Sequence, residues 1–136
     1  MAETLKLEIV TPEETVYSEV VEMVTLPGIE GELGIYPHHV PLMTQIVAGE
    51  LLVRKGNIET ALAVGEGFAE ITGTHVSILT DMAISSAEID EAVAEEARRK
   101  AEARLEEKLS VEESAAVHAS LAHSLAKLKV KRRHRN

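Results

Sequence analysis

The sequence predicts a mainly β N-terminal domain, an antiparallel β-sandwich of eight or more strands, followed by an α-helical hairpin. Two observations carry this expectation. Up to about Ser86, short runs of alternating apolar and polar residues are broken by regularly spaced turn signals. Beyond Ser86, glycine and proline disappear, and alanine, glutamate, lysine, arginine and leucine take over. The expected domains are therefore residues 1–86 and residues 87–136.

In the first part, Leu5-Lys6-Leu7-Glu8-Ile9 and Val76-Ser77-Ile78 have the two-residue period of half-buried strands, and Ile58, Thr60, Leu62 and Val64 mark one face of another. Turns are expected at Thr11-Pro12, Leu26-Pro27-Gly28, Lys55-Gly56-Asn57, Gly65-Glu66-Gly67 and Ile71-Thr72-Gly73-Thr74. Strand follows strand with no room for a helix. In the second part, Ser85 with Glu88 and Ser110 with Glu113 fit capping boxes, so one helix starts after Ser85 and a second near Val111. Stripes of Ile89, Val93, Ala97, Ala101 and Leu105, and of Val117, Leu121, Leu125 and Leu128, allow the two helices to pair. Alanine at many contact positions buries little area, at about 25 cal/mol per Å², so the hairpin is expected to be weakly held and movable.

The chain has 136 residues and 45% hydrophobic content, enough for one modest core and an appendage. With no cysteine it forms neither a disulfide nor a thiolate metal site. No run approaches the roughly 18 apolar residues of a membrane span, and the opening Met1-Ala2-Glu3-Thr4 lacks a signal peptide's character. The net charge of −9 and the low aromatic content, Tyr17, Tyr36 and Phe68, argue against nucleic acid as a partner. Charge is unevenly spread: residues 1–86 hold 3 Lys/Arg against 13 Asp/Glu, and residues 111–136 hold 6 against 2.

The most particular segment is residues 26–44. Its glycines run G-x-x-G-x-x-G, which is not the dinucleotide fingerprint, and no helix follows to receive a phosphate. On physical grounds alone it is a loop stiffened by Pro37 and Pro41, with glycines supplying positive φ. His38-His39 is a poor metal site, because adjacent residues of an extended segment point to opposite faces and no cysteine completes the set. Gly65-Glu66-Gly67 lacks a third glycine for phosphate and is expected to make a tight hairpin turn. No G-x-S-x-G elbow or H-E-x-x-H run marks a hydrolase.

Gly31-Glu32-Leu33-Gly34-Ile35-Tyr36-Pro37, then His39, Pro41, Leu42 and Thr44, closely resemble the segment typical of bacterial and chloroplast ATP synthase epsilon subunits. The resemblance extends to Leu7-Glu8-Ile9-Val10-Thr11-Pro12, Gly65-Glu66-Gly67-Phe68, Ile78-Leu79-Thr80-Asp81-Met82-Ala83 and Ile89-Asp90-Glu91-Ala92, covering essentially the whole chain in order.

The resemblance implies a non-catalytic rotor subunit of the proton-translocating F-type ATP synthase, peripheral on the cytoplasmic face of a bacterial inner membrane or the stromal face of a thylakoid. Its sandwich would bind the gamma subunit and rest on the c-ring, with Gly31, Glu32, Tyr36 and His39 as rotor contacts. Its C-terminal arm would reach the alpha and beta subunits and restrain ATP hydrolysis through Lys127, Lys129, Lys131, Arg132, Arg133 and Arg135. Cations at a helix C-terminus also suit the helix dipole, so the tail has a plain structural reading beside the regulatory one. In ATP-binding members of the family an arginine stands where this chain has Val93, so no nucleotide cofactor is expected. Asp90, the remaining residue of a weak nucleotide site, reads as a first-turn acid favoured by the helix dipole. The readings from other classes are a stand-alone binding module whose basic tail holds an acidic partner, and a small hydrolase built on a carboxylate pair.

Overall fold

The computed structural model describes residues 3–134. Ten strands precede two helices. The strands are β1 (Leu5–Val10), β2 (Thr15–Val21), β3 (Met23–Gly28), β4 (Gly31–Ile35), β5 (Leu42–Ile46), β6 (Gly49–Lys55), β7 (Ile58–Val64), β8 (Gly67–Ile71), β9 (His75–Thr80) and β10 (Ala83–Ser85). A 3-10 turn (Ser86–Glu88) leads to α1 (Glu91–Leu105) and α2 (Val111–Arg133).

One continuous hydrogen-bonded path, β10-β7-β6-β3-β5-β8-β9-β1-β2 with β4 on β3, folds over into two layers. The path bends where β3 and β5 share a single pair, Gly28 with Ile46. Leu7, Ile9, Val24, Leu26, Ile35, Ile46, Leu51, Val53, Leu62, Val64, Ile71 and Ile78 fill the space between the layers. Burying such a face is the main force holding them together.

The pairing is antiparallel except between β1 and β9, which run parallel with Leu7 opposite Val76 and Ile9 opposite Ile78. The antiparallel sandwich expected from the sequence is present, with this one parallel pair added. A parallel neighbour can come from anywhere along the chain, and here it closes the first strand onto the ninth.

Lys55-Gly56-Asn57 does close a hairpin, β6 with β7, and Gly56 has φ of +62°. Leu26-Pro27-Gly28 does not turn. These residues are buried inside β3, and the chain reverses after them, at Ile29 and Glu30, between β3 and β4. Gly65-Glu66 is also not a hairpin turn, because β7 pairs with β6 and β10 whereas β8 pairs with β5 and β9. The segment crosses from one layer to the other beside the β9–β10 connection, with Gly65 N donating to Met82 O at 2.8 Å and Asp81 N to Glu66 O at 3.2 Å.

The run Ala61-Leu62-Ala63-Val64 is buried on both faces. Leu62 and Val64 face the sandwich core, while Ala61 and Ala63 face a second cluster with Ile89, Ala126 and Val130. Leu52, Met82 and Ile84 surround that cluster. The small alanines of β7 thus let α2 approach the outer side of the β6–β7 layer closely, burying modest area.

The capping box at Ser110 is present in full: Glu113 N donates to Ser110 Oγ at 3.1 Å, and Ser110 N donates to Glu113 Oε1 at 3.2 Å. The box expected at Ser85 is absent. Ser85 precedes only the 3-10 turn, and the helix proper starts five residues later with Asp90 as its cap. On α1, Ala101 of the expected stripe is buried together with Ala94, whereas Val93 is 65% exposed. On α2, Val117 and Leu128 are buried as expected, whereas Leu125 is exposed, and Ala126 and Val130 turn to the sheet. A helix that serves two neighbours spreads its apolar residues beyond one stripe.

Candidate functional site

The residues expected to touch other rotor components divide between the two ends of β4. At its start, Gly31 adopts φ of +124°, a left-handed conformation that favours glycine, and Glu32 beside it is exposed. At its far end, Tyr36 is exposed with its ring centroid 5.8 Å from the Arg54 guanidinium carbon. His39 turns Nδ1 to its neighbour's carbonyl, Val40 O, at 2.7 Å, and His38, with φ of +68°, places Nε2 3.3 Å from Glu3 Oε1. The two imidazoles have separate partners.

Gly31 and Glu32 are instead brought together with the C-terminal tail. A groove of about 200 Å³ is lined by Glu32, Glu50, Lys129 and Arg133 together with the glycines at 28, 31 and 49. At its base the Glu50 side chain is only 6% exposed, with Arg133 Nη1 donating to Oε1 at 2.8 Å and His134 Nε2 2.7 Å from Oε2. One residue earlier, Arg132 spans two carboxylates of α1: Nε donates to Glu91 Oε1 and Nη2 to Glu95 Oε2, both at 2.9 Å. Lys131 Nζ donates to Ser86 O at 3.2 Å, binding the helix to the interdomain linker. Lys129 is exposed, Lys127 is partly buried, and Arg135 lies outside the described residues.

Glu95 is the most strongly perturbed acid of this network. Hydrogen bonding from Arg98, opposed in part by desolvation and aided by Arg132, holds its carboxyl at about 2 instead of 4.5. Arg98 in turn donates to Glu102 at 2.6 Å, so α1 carries a ladder of charges along the side that meets α2's tail. Arg132 is held above its ordinary value by hydrogen bonds to Glu91 and then Glu95.

Asp90 is the N-cap of α1, a correction to its reading as a first-turn acid. Its Oδ1 accepts from Val93 N at 3.1 Å, because a residue with extended backbone just before the first turn can return its side chain to an unpaired N–H.

Sequence reasoning missed Glu50, Glu91, Glu95 and His134. Glu91 and Glu95, four apart on a helix, carried a usable signal: two carboxylates on one face suit a single arginine. Glu50 carried none, since its partners lie more than 80 positions away in sequence.

The outer side of the β5–β8–β9 layer, away from the helices, is uncovered. Phe68 and Leu79 are cross-strand partners, 56% and 58% exposed, with Met43 exposed on the adjoining strand and Val10 beyond Leu79.

Residues 4–86 match the family model of the ATP synthase, Delta/Epsilon chain, beta-sandwich domain. The chain belongs to this family. It is 44% identical over 130 residues to the ATP synthase epsilon chain of Syntrophobacter fumaroxidans, covering 96% of this chain and 97% of that one. The epsilon chain of Dehalococcoides mccartyi is 46% identical over 132 residues, at 96% and 94% coverage. Among solved structures, a chain of the Euglena gracilis mitochondrial ATP synthase (OSCP, F1 and c-ring) superposes with a TM-score of 0.76 at 23% identity, covering 93% of this chain and 79% of that one. A chain of the Tetrahymena thermophila mitochondrial ATP synthase central stalk and c-ring gives 0.59 at 13% identity, covering 95% and 97%. These two similarities show the fold alone, with sandwich and helical pair together. Epsilon chains are non-catalytic stalk subunits of the ATP synthase complex. No helix among the described residues of this epsilon-family chain is long and apolar enough to cross a membrane.

Proposed function

We propose that this epsilon-family chain couples the gamma subunit to the c-ring during proton-driven ATP synthesis, and that its C-terminal hairpin restrains ATP hydrolysis. It acts as a peripheral subunit on the side of the membrane that carries the catalytic head. The observation that supports coupling is the uncovered apolar patch of Phe68, Leu79 and Met43. The opposite layer of the sandwich is covered by the chain's own helices, so this patch is where a stalk partner can bury apolar area, and gamma is the occupant we assign to it. Gly31 and Glu32, on a turn held rigid by pairing of Gly28 with Gly31, are the assigned contact with the ring.

Restraint of hydrolysis rests on the tail. Lys127, Lys129, Lys131, Arg132, Arg133 and Arg135 give an arm that, once extended, can meet acidic groups of the alpha and beta subunits. ATP is not assigned as a ligand of this subunit, because Val93 offers phosphate no cation and Asp90 is committed to capping.

Co-purification tests the docking face. Phe68→Glu with Leu79→Glu should abolish capture of gamma while leaving the sandwich folded; retention of gamma places the interface elsewhere. Changing the six tail cations to alanine should raise hydrolysis by the assembled enzyme and leave assembly intact. Unchanged hydrolysis in low-salt buffer removes the braking role.

A further inference from the structure

We infer that the open edge of β2 accepts an additional strand from the partner seated on the Phe68–Leu79 patch, an extended segment that carries cationic side chains. The inference rests on the docking of gamma proposed above and adds how that partner is held.

The phase of hydrogen bonding decides which backbone groups of β2 are available. Lys6 N donates to Thr74 O at 2.9 Å, so Lys6 turns its backbone groups toward β9, with which β1 runs parallel. Successive residues of a strand point their N–H and C=O to opposite sides, so Leu5, Leu7 and Ile9 face β2, where they meet Val21, Glu19 and Tyr17. The intervening residues of β2, Ser18 and Val20, therefore point away from β1. Glu22, next in that phase, has a partner on that side, its N donating to Arg54 O at 2.9 Å. There β6 ends, at Lys55, and the chain turns back into β7. Among the described residues β2 pairs with β1 alone, so the outer edge at Ser18 and Val20 is open.

Three strands, β2, β4 and β10, pair on one side only. Of these, β10 has three residues, and β4 has glycine at two of its five positions. Strand β2 has seven residues, of which Thr15, Val16, Tyr17, Val20 and Val21 are β-branched or aromatic. Long open edges recruit strands, and proteins shield them with lysine, proline or a bulge. The register shift at Ile9 and Val10 disturbs only the start of β2, which contains no lysine or proline.

Two features specify the occupant. The outward face of β2 carries Val20, 51% exposed and opposite Lys6, and this face continues through Val10 and Leu79 to Phe68. Strand β9 and β2 lie two strand spacings apart, about 10 Å, so a partner over the patch is within reach of the edge. The surroundings are acidic: Glu8 stands opposite Ser18, and Glu13 and Glu14 are exposed on the turn that enters β2. A segment with lysine or arginine meets these acids while setting an apolar side chain beside Val20. Backbone pairing fixes the direction and register of that segment, and the patch supplies the apolar burial.

The test follows amide exchange residue by residue in the full-length subunit, free and in complex with gamma. In the free subunit the amides of Ser18 and Val20 should exchange fast, and those of Tyr17, Glu19 and Val21 slowly. Binding should slow Ser18 and Val20 by about 100-fold or more. Ser18→Pro deletes an N–H aimed away from β1, a position where an edge strand tolerates proline, and should weaken capture of gamma about tenfold or more. Ser18→Ala keeps the N–H and should bind as the wild type does. Amides of Ser18 and Val20 that stay fast in the complex overturn the added strand and leave the patch as the docking face. Full capture of gamma by Ser18→Pro overturns it as well. If the proline also frees the Tyr17 and Glu19 amides, the fold itself is damaged, and exchange in the wild-type complex decides alone. Slowed edge amides together with retention of gamma by Phe68→Glu with Leu79→Glu keep the added strand and remove the patch.

Discussion

His123 Nε2 of α2 lies 3.0 Å from Asp81 Oδ1 on the β9–β10 connection, and Gly65 is what allows them to meet. A Cβ at Gly65 would stand 1.8 Å from Asp81 Oδ1 and 2.8 Å from His123 Nε2. The glycine is therefore required by a side-chain contact between sandwich and helix, and not by an unusual backbone conformation.

Gly65→Ala should loosen the middle of α2 from the sandwich, at a cost of about 1–3 kcal/mol from forced repacking. Asp81→Ala removes the first atom that the new methyl would strike. In that background Gly65→Ala should cost markedly less, and a double-mutant cycle by denaturant unfolding measures the difference. Additive effects would show that Gly65 is needed for some other reason.

The α2 seat on β7 makes a second prediction. Ala63 is fully buried between Ile84 and α2, so Ala63→Leu overfills that seat while leaving the core side of the strand, Leu62 and Val64, untouched. Amide exchange should quicken throughout α2 and remain slow in β1 and β9. Uniform acceleration across both parts would mean that helices and sandwich unfold as one unit.

Acid should weaken the attachment of the tail through Glu95. Its carboxyl, ordinarily near 4.5, is held at about 2 by Arg98 and Arg132. A lowered folded-state value means that its stabilisation is complete above 4.5 and is lost as pH falls toward 2. Wild type should therefore exceed Glu95→Gln in helix stability at pH 6, and the gap should close across that window. A gap that stays constant from pH 6 to 2 would show that Glu95 contributes through packing and not through charge.

Nucleotide binding by the isolated subunit should be weak or absent in titration calorimetry. One charge-assisted bidentate contact is worth on the order of 1.5–3 kcal/mol, or about one to two decades in affinity. Val93→Arg should recover measurable ATP binding if the rest of the site is intact, since position 93 is exposed and can carry the side chain without disturbing the helix. Micromolar binding by the wild type would show that other cations compensate.

The amino-acid sequence by itself determined the two-part architecture, the Ser110 capping box, the Gly56 hairpin and the family, because each depends on residues close together or on a contiguous motif. That α1 starts at Asp90, read from the sequence as a first-turn acid, and not at Ser85 was decided by the fold, in which the Ser85–Glu88 segment makes only a 3-10 turn and Ile89 packs against the sheet. Pairing across the sheets was decided by tertiary structure alone. Pro27-Gly28 extends a strand because the β5–β6 turn approaches it, with Val47 N donating to Pro27 O at 2.9 Å, and Gly65-Glu66 crosses between layers because β7 and β8 find different partners. The tail's cations were legible as a cluster, but not their destinations. A surface charge has no periodicity that names its partner, and Arg133 meets Glu50 only after the chain has closed on itself, so their pairing belongs to the fold.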